Sequence, residues 1–508
     1  MILIEQTRFA ALVSQPWLCI RVGLILKQPQ THKNMEMTHV IAIPYPAQGH
    51  VIPLMEFAQR LVKQGIKVTF INTEVTHKLV TSTWLQKDDF SDLMQMVSLP
   101  DGLEPTAERN DLAKQTEAIF QTMPAKLEEL INTINKKDDS KITCVITDIN
   151  MGWALPVAEK MGIRRASFWP ASAITLATVL SLQKLIDDGI INHNGEIFHS
   201  NSNFNSAYNR VPLNDNILQL SPCMPPIKPA HLWWACMGDL VTIKIVFKAL
   251  EEVAKAVLRN EWIICNSSHH LESAAFSLFP QALSIGPLLA SNRLAKQAGH
   301  FWPEDSTCLT WLNQQPACSV IYIAFGSFTI FDQAQFEELA LGLELTNRPF
   351  LWVVRPGITK EISYPQGYMD RVGSRGRIVS WAPQQEVLSH PSVACFMSHC
   401  GWNSTLEGVN NGVPFICWPY FADQFQDEAY ICDIWENGLA LKKNIGGIVT
   451  GEEIKSKVNK LLSDTRFKDN ALALKEKALS SIRKGGSSEK NLSKFIEWIK
   501  EKDNHLSS

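Results

Sequence analysis

Short apolar runs alternate along this chain with stretches whose apolar residues recur at helical spacing, and that alternation constrains the fold more than any other feature. Residues 39–44 (HVIAIP) precede a stretch with Val51, Ile52, Leu54, Met55, Phe57, Ala58, Leu61 and Val62 on one helical pattern, stopped at Gly65. Strands are then expected at 67–72, 142–147, 164–169 and 262–266, with the run 283–286 closing the series and helices near 153–161 and 239–259. A second series follows, with strands expected at 320–325, 350–354, 376–380, 393–398 and 414–417. Strand, helix, strand at this spacing implies βαβ units with right-handed crossovers, so the chain reads as two doubly wound α/β domains facing one another. Between 190 and 235 the chain is rich in Asn, Ser and Pro and reads as a long surface excursion.

The 508 residues hold 48 Lys+Arg against 51 Asp+Glu, a net charge of −3 that offers no footprint for nucleic acid. Apolar residues make up 45% of the chain, yet no run of 18 or more could span a membrane. The 11 cysteines are odd in number and form no C-x-x-C pair, which favours a reducing, cytoplasmic setting over a disulfide framework or a zinc site. Residues 1–36 precede the first strand pattern and are set apart as an N-terminal extension.

Several chemistries lack their motifs. The chain has no G-x-G-x-x-G after a strand, no phosphate loop, no G-x-S-x-G elbow and no D-x-D pair to hold a metal on a diphosphate. An anion would have to be held by helix termini and neutral donors. The segment from 393 suits this: a strand ends at His399, Gly401 allows close backbone approach, and Asn403 and Ser404 read as caps of a helix opening near Thr405. Taken singly, such residues are usually only caps.

The surroundings change that reading. W-A-P-Q at 381–384, H-C-G-W-N-S at 399–404, Glu407 and D-Q at 423–424 lie within 44 residues. This block resembles the signature of plant family 1 UDP-glycosyltransferases, and P-Y-P-A-Q-G-H at 44–50 and F-G-S at 325–327 extend the likeness over nearly all the chain from residue 38. The resemblance implies a GT-B-like fold, two Rossmann-like domains with an interdomain cleft. Its divisions would be an acceptor domain at 37–287, a linker at 288–306, a UDP-sugar domain at 307–485 and a C-terminal helix at 486–508 packing back on the first domain.

It also implies roles. Trp381 would stack on uracil, with Ala382 and Gln384 bonding base and ribose, and Glu407 would accept from the ribose hydroxyls. Ser327, His399, Asn403 and Ser404 would hold the diphosphate, and Trp402, Asp423 and Gln424 the sugar. A terminal Gln accompanies glucose donors in the family, so Gln424 points to UDP-glucose as co-substrate, with no metal or other cofactor. His50 and Asp148, 98 residues apart, would be the general base and its orienting acid. Both are expected at carboxyl ends of parallel strands, where such sheets bind ligands. The expected product is a β-O-glucoside of a small lipophilic acceptor such as a flavonoid, other phenylpropanoid or terpenoid, made by a monomer. A glucose ester is the alternative product. A catalytically silent nucleotide-sugar binder would be expected to lack His50 or Asp148. Pro170 departs from relatives that carry Ser or Thr there, and Trp233-Trp234 read as packing residues first, with the wall of the acceptor cleft as the alternative.

Overall fold

The computed structural model describes residues 37–84, 92–104, 107, 109, 111–137, 140–197, 217–237, 239–288, 301–355 and 362–501. The extension 1–36, the middle of the excursion (198–216) and most of the expected linker (289–300) lie outside the described residues. The first series forms one sheet from β1 (His39–Ile43), β2 (Lys67–Thr73), β3 (Met94–Leu99), β4 (Ile142–Asp148), β5 (Arg164–Trp169), β6 (Trp262–Cys265) and β7 (Ala282–Ser284). Their order is β3-β2-β1-β4-β5-β6-β7. The second sheet holds β8 (Val320–Ala324), β9 (Phe350–Val353), β10 (Gly376–Val379), β11 (Val393–Ser398), β12 (Phe415–Cys417) and β13 (Gly438–Ala440), ordered β10-β9-β8-β11-β12-β13. All the strand pairings described are parallel.

The apolar runs are continuous because both faces of these strands are covered. In β1, Val40 and Ala42 enter a core shared with Leu54, Phe57 and Leu61 of the helix Gln48–Lys63. Ile41 and Ile43 enter the opposite core, with Ile119, Met123 and Leu127 of the helix Leu112–Lys137. β8 repeats the pattern, sending Ile321 and Ile323 one way and Val320, Tyr322 and Ala324 the other. Each such Val, Ile or Leu contributes roughly 1.5–3 kcal/mol when fully buried. The helix Ser487–Lys500 lies on the first lobe, where Phe495 packs on Phe57 and Trp262, and Arg164 stacks over Trp498 at 4.7 Å.

Each sheet reverses its winding beside its own first strand, at β1/β4 and at β8/β11. Those are the points where an open α/β sheet leaves a crevice at its strand ends. His50 and Asp148 stand at the first reversal, Ser327 and His399 at the second.

Three expectations need correction. β3 was not anticipated, because its sequence MQMVSL mixes polar and apolar residues at an edge, and neither was β13, only three residues long. The helix expected near Thr405 runs Trp402–Asn411 with Gly401 as its N-cap. Asn403 and Ser404 therefore sit inside its first turn and cap nothing. The far end of the excursion is also no mere surface loop: Met224, Ile227, Leu232 and Trp234 are buried in the core, so its apolar residues anchor it.

Candidate active site

β1 ends at Ile43, and the chain turns through 44–47 into the helix Gln48–Lys63, which puts His50 in that helix's first turn. Asp148 ends β4, fully buried. The two meet: His50 Nδ1 lies 2.7 Å from Asp148 Oδ2. Asp148 Oδ1 accepts the Asn150 N–H at 2.9 Å, so both carboxylate oxygens are engaged. With Nδ1 so engaged, Nε2 is the ring nitrogen left to exchange a proton, and 24% of the His50 side chain remains exposed. Burial works against a charged imidazole, but the Asp148 charge and hydrogen bond outweigh it, and Asp423 adds to them, so the pKa lies above the ordinary value. Tyr45 packs edge-on against the ring at 5.2 Å and donates its hydroxyl to Gln115 Oε1. Burial and the Asp148 charge push that hydroxyl up to about 12, so it stays protonated.

Asp423 belongs to the other lobe, and the two lobes meet beside His50. Asp423 is partly exposed, yet lost hydration raises its carboxyl to about 6, against the lowering effect of His50. Asn403 Nδ2 also donates to the Gly49 carbonyl at 2.6 Å, one residue before His50.

At the second sheet reversal the imidazole of His399 is held between two glycines. A Cβ at Gly326 would stand 2.5 Å from His399 Nε2, and one at Gly401 would stand 2.6 Å away. Burial pushes this histidine down to about 4, so it is neutral and keeps one N–H to donate. Its Nδ1 is buried with no hydrogen-bond partner among the described residues. Beside it the first turn of Trp402–Asn411 offers free amides and the positive end of a helix dipole, and Ser327 follows Gly326 half-buried. The donor set is neutral, which fits a diphosphate held without a metal-binding carboxylate pair.

Several predicted contacts are rearranged. The Trp402 indole does not face the crevice: it is buried and donates to the Asn266 carbonyl at 2.8 Å. Contact with a sugar through the indole is therefore excluded by its packing. Gln384 does not offer its side chain to a ligand either. Its Nε2 donates to Ser404 Oγ at 2.8 Å and to Glu407 Oε2 at 2.6 Å, and its Oε1 accepts from Tyr322. Ser404 is accordingly buried against Gln384, leaving its backbone amide for an anion. Gln424 spends Oε1 on the amides of Tyr420 and Phe421, so only its Nε2 can reach a sugar.

Three contributors were not foreseen. Gln385 holds Glu407 Oε1 at 3.0 Å, Tyr322 orients Gln384, and Trp302 packs on Trp381 at 4.9 Å. A flat base can therefore stack only on the other face of Trp381. The buried Ala382 follows it. The second glutamine of W-A-P-Q-Q was a legible signal for Gln385; for Trp302 the only signal was an aromatic at the end of a presumed linker. Among the described residues no cluster of three His, Cys, Asp or Glu is arranged to hold a metal, and no helix is long and apolar enough to cross a membrane.

Two facing parallel α/β lobes with a shared crevice define the GT-B class of fold. Residues 39–500 match the family described as UDP-glucoronosyl and UDP-glucosyl transferase, and the chain belongs to that family, as a plant family 1 UDP-glycosyltransferase. It is 43% identical over 485 residues to UDP-glycosyltransferase 83A1 of Arabidopsis thaliana, covering 93% of this chain and 99% of the relative. Among solved structures it resembles a UDP-glucosyltransferase from Polygonum tinctorium capable of glucosylating indoxyl, with TM-score 0.75, 28% identity and coverage of 92% of this chain and 100% of that one. UGT2 of Phytolacca americana, complexed with UDP-2fluoro-glucose and pterostilbene, matches with TM-score 0.73, 27% identity and coverage of 91% and 99%.

Proposed function

We propose that the chain transfers glucose from UDP-glucose to a hydroxyl of a small lipophilic acceptor, with inversion, giving a β-O-glucoside. The observation that carries this reading is His50, bonded to Asp148 in its own lobe and adjacent to Gly49, whose carbonyl accepts from Asn403 of the other. The acceptor oxygen attacks the anomeric carbon while His50 Nε2 takes its proton. The bond from that carbon to the β-phosphate oxygen breaks, and UDP leaves with the electron pair. Asp148 stabilises the imidazolium. The His399 N–H, the Ser327 hydroxyl, Asn403 and the amides of 402–404 take up the charge on the departing diphosphate. One displacement on an α-linked donor gives a β product.

Trp381 and Ala382 hold the base, and Glu407, kept in place by Gln384 and Gln385, receives the ribose hydroxyls. Asp423 and Gln424 bind the glucose hydroxyls. No metal is needed, because neutral donors and a helix terminus do the anion's work. We assign 37–287 to the acceptor and 307–485 to the donor, joined through 288–306, with 486–508 returning to the first domain. The scattered free thiols support a cytoplasmic protein, read as a monomer. Acceptors in the solved relatives, indoxyl and pterostilbene, are flat and largely apolar, and this supports phenolic aglycones such as flavonoids here.

The test is incubation of the full chain with UDP-glucose, UDP-galactose and UDP-glucuronate against a panel of phenols, terpenoid alcohols and aromatic carboxylic acids, read by product mass. Base-stable hexosides formed from UDP-glucose are the expected result. Base-labile products from the acids alone would mean a glucose ester, and no transfer from any donor would sink the assignment.

A further inference from the structure

The end of the excursion, just before the helix Leu240–Val257, reaches out of the first lobe onto the turn that carries Asp423 and Gln424. Its anchor is firm: Leu232 and Trp234 are fully buried, and the Trp234 indole donates to the Gly195 carbonyl. From that anchor two side chains cross to the second lobe. The His231 ring stacks on Phe425 with centroids 4.3 Å apart and planes at 22°. Cys236 Sγ accepts the Ala422 N–H at 3.2 Å.

These contacts fall on either side of the Asp423–Gln424 pair. Ala422 has φ +58°, a left-handed conformation that opposes its Cβ and persists only where surroundings hold it. Within the turn, Gln424 Oε1 binds the amides of Tyr420 and Phe421, so the turn is closed on itself and gripped from outside at 422 and 425. Burial keeps the Cys236 thiol protonated, with its pKa at about 11, so it brings no charge beside Asp423.

We propose that His231 and Cys236 are positioning residues that hold the Asp423–Gln424 turn for the sugar while leaving the grip on the nucleotide untouched. This rests on the reading that Asp423 and Gln424 contact the glucose of UDP-glucose. Sugar recognition in the second lobe is then set in part by a segment of the first. That makes residues 231 and 236 places where donor choice changes without any change in the 381–424 block.

The experiment compares the full chain with His231→Ala, Cys236→Ala, their double variant and Cys236→Ser, measuring UDP and UDP-glucose affinity by calorimetry and amide exchange across 420–425 by mass spectrometry. In the double variant UDP-glucose affinity should fall roughly fivefold to twentyfold, with UDP affinity within about twofold and faster exchange in that segment. Cys236→Ser, which still presents an acceptor to the Ala422 amide, should recover most of the loss caused by Cys236→Ala. Equal weakening of both ligands, or unchanged exchange, overturns the proposal. Should the parent bind neither nucleotide, the donor reading itself fails, and the exchange measurement alone then decides whether the clasp exists.

Discussion

His50 and His399 occupy equivalent places, each beside the point where its sheet reverses its winding, yet their surroundings drive them in opposite directions. His50 has a buried carboxylate at 2.7 Å and a second in the facing lobe, and its pKa is raised. At His399 burial is opposed by a backbone group and not by a carboxylate. Its ring lies between two glycines, and its pKa falls to about 4. Topology brings an imidazole to the crevice in both cases, and the neighbours decide whether it exchanges protons or only donates a hydrogen bond. One residue type thus gives an imidazole whose charged form is favoured and another that stays neutral, suited to the proton acceptor and the anion ligand of the proposed function.

The hardest blow to this contrast is His50→Ala. Turnover should fall by ~10²–10⁴-fold, with UDP affinity within about twofold, because only proton transfer is lost. Near-native turnover in that variant would remove His50 from the chemistry. Asp148→Asn should come next, lowering turnover on the order of 10²-fold, since an amide cannot stabilise an imidazolium. The sign of its pH effect is fixed as well. In the parent, kcat/KM should rise with pH through a His50 pKa above 6.5, as the base loses its proton. Removing the Asp148 charge lowers that pKa, so the acid limb must move to lower pH. A limb that stays in place would show that another group titrates there.

Much of this was legible from residue patterns, and the rest failed for identifiable reasons. Strands such as β1, β8 and β11 announce themselves because burial on both faces demands unbroken apolar runs. β3, an edge strand with exposed positions, carries no such demand. The candidate site residues lie in fixed-spacing motifs, so their positions could be read. What each side chain does with its polar atoms could not, because that depends on partners distant in sequence. Trp402 is drawn away by the carbonyl of Asn266, 136 residues earlier, and Gln384 by Tyr322, 62 residues earlier.

Gly401→Ala probes the other histidine. At φ −57° the backbone tolerates a side chain, so the effect comes from a methyl 2.6 Å from the His399 ring. Overpacking of that kind costs about 1–3 kcal/mol, and felt at the nucleotide site it predicts roughly fivefold or greater loss of UDP affinity in calorimetry. The acid limb set by His50 should not move. In an NMR titration His399 should stay neutral from about pH 5 upward while His50 titrates above 6.5. Joint titration would erase the distinction between the two sites.

The smallest effect is expected from Gln385→Ala, and its smallness is informative. Glu407 is held twice, by Gln385 at Oε1 and by Gln384 at Oε2, and Gln384 is itself fixed by Tyr322 and Ser404. Deleting one neutral amide removes one hydrogen bond of three or four in a network, a net loss near 1 kcal/mol, and KM for the donor should rise only about twofold to fivefold. kcat and the acid limb should be unchanged. The base has no comparable reserve, since a single 2.7 Å contact from Asp148 fixes its ring nitrogen. A fall in kcat as large as that of Asp148→Asn would mean that the nucleotide pocket, too, depends on one critical contact, and the contrast between a distributed grip and a singular base would be lost.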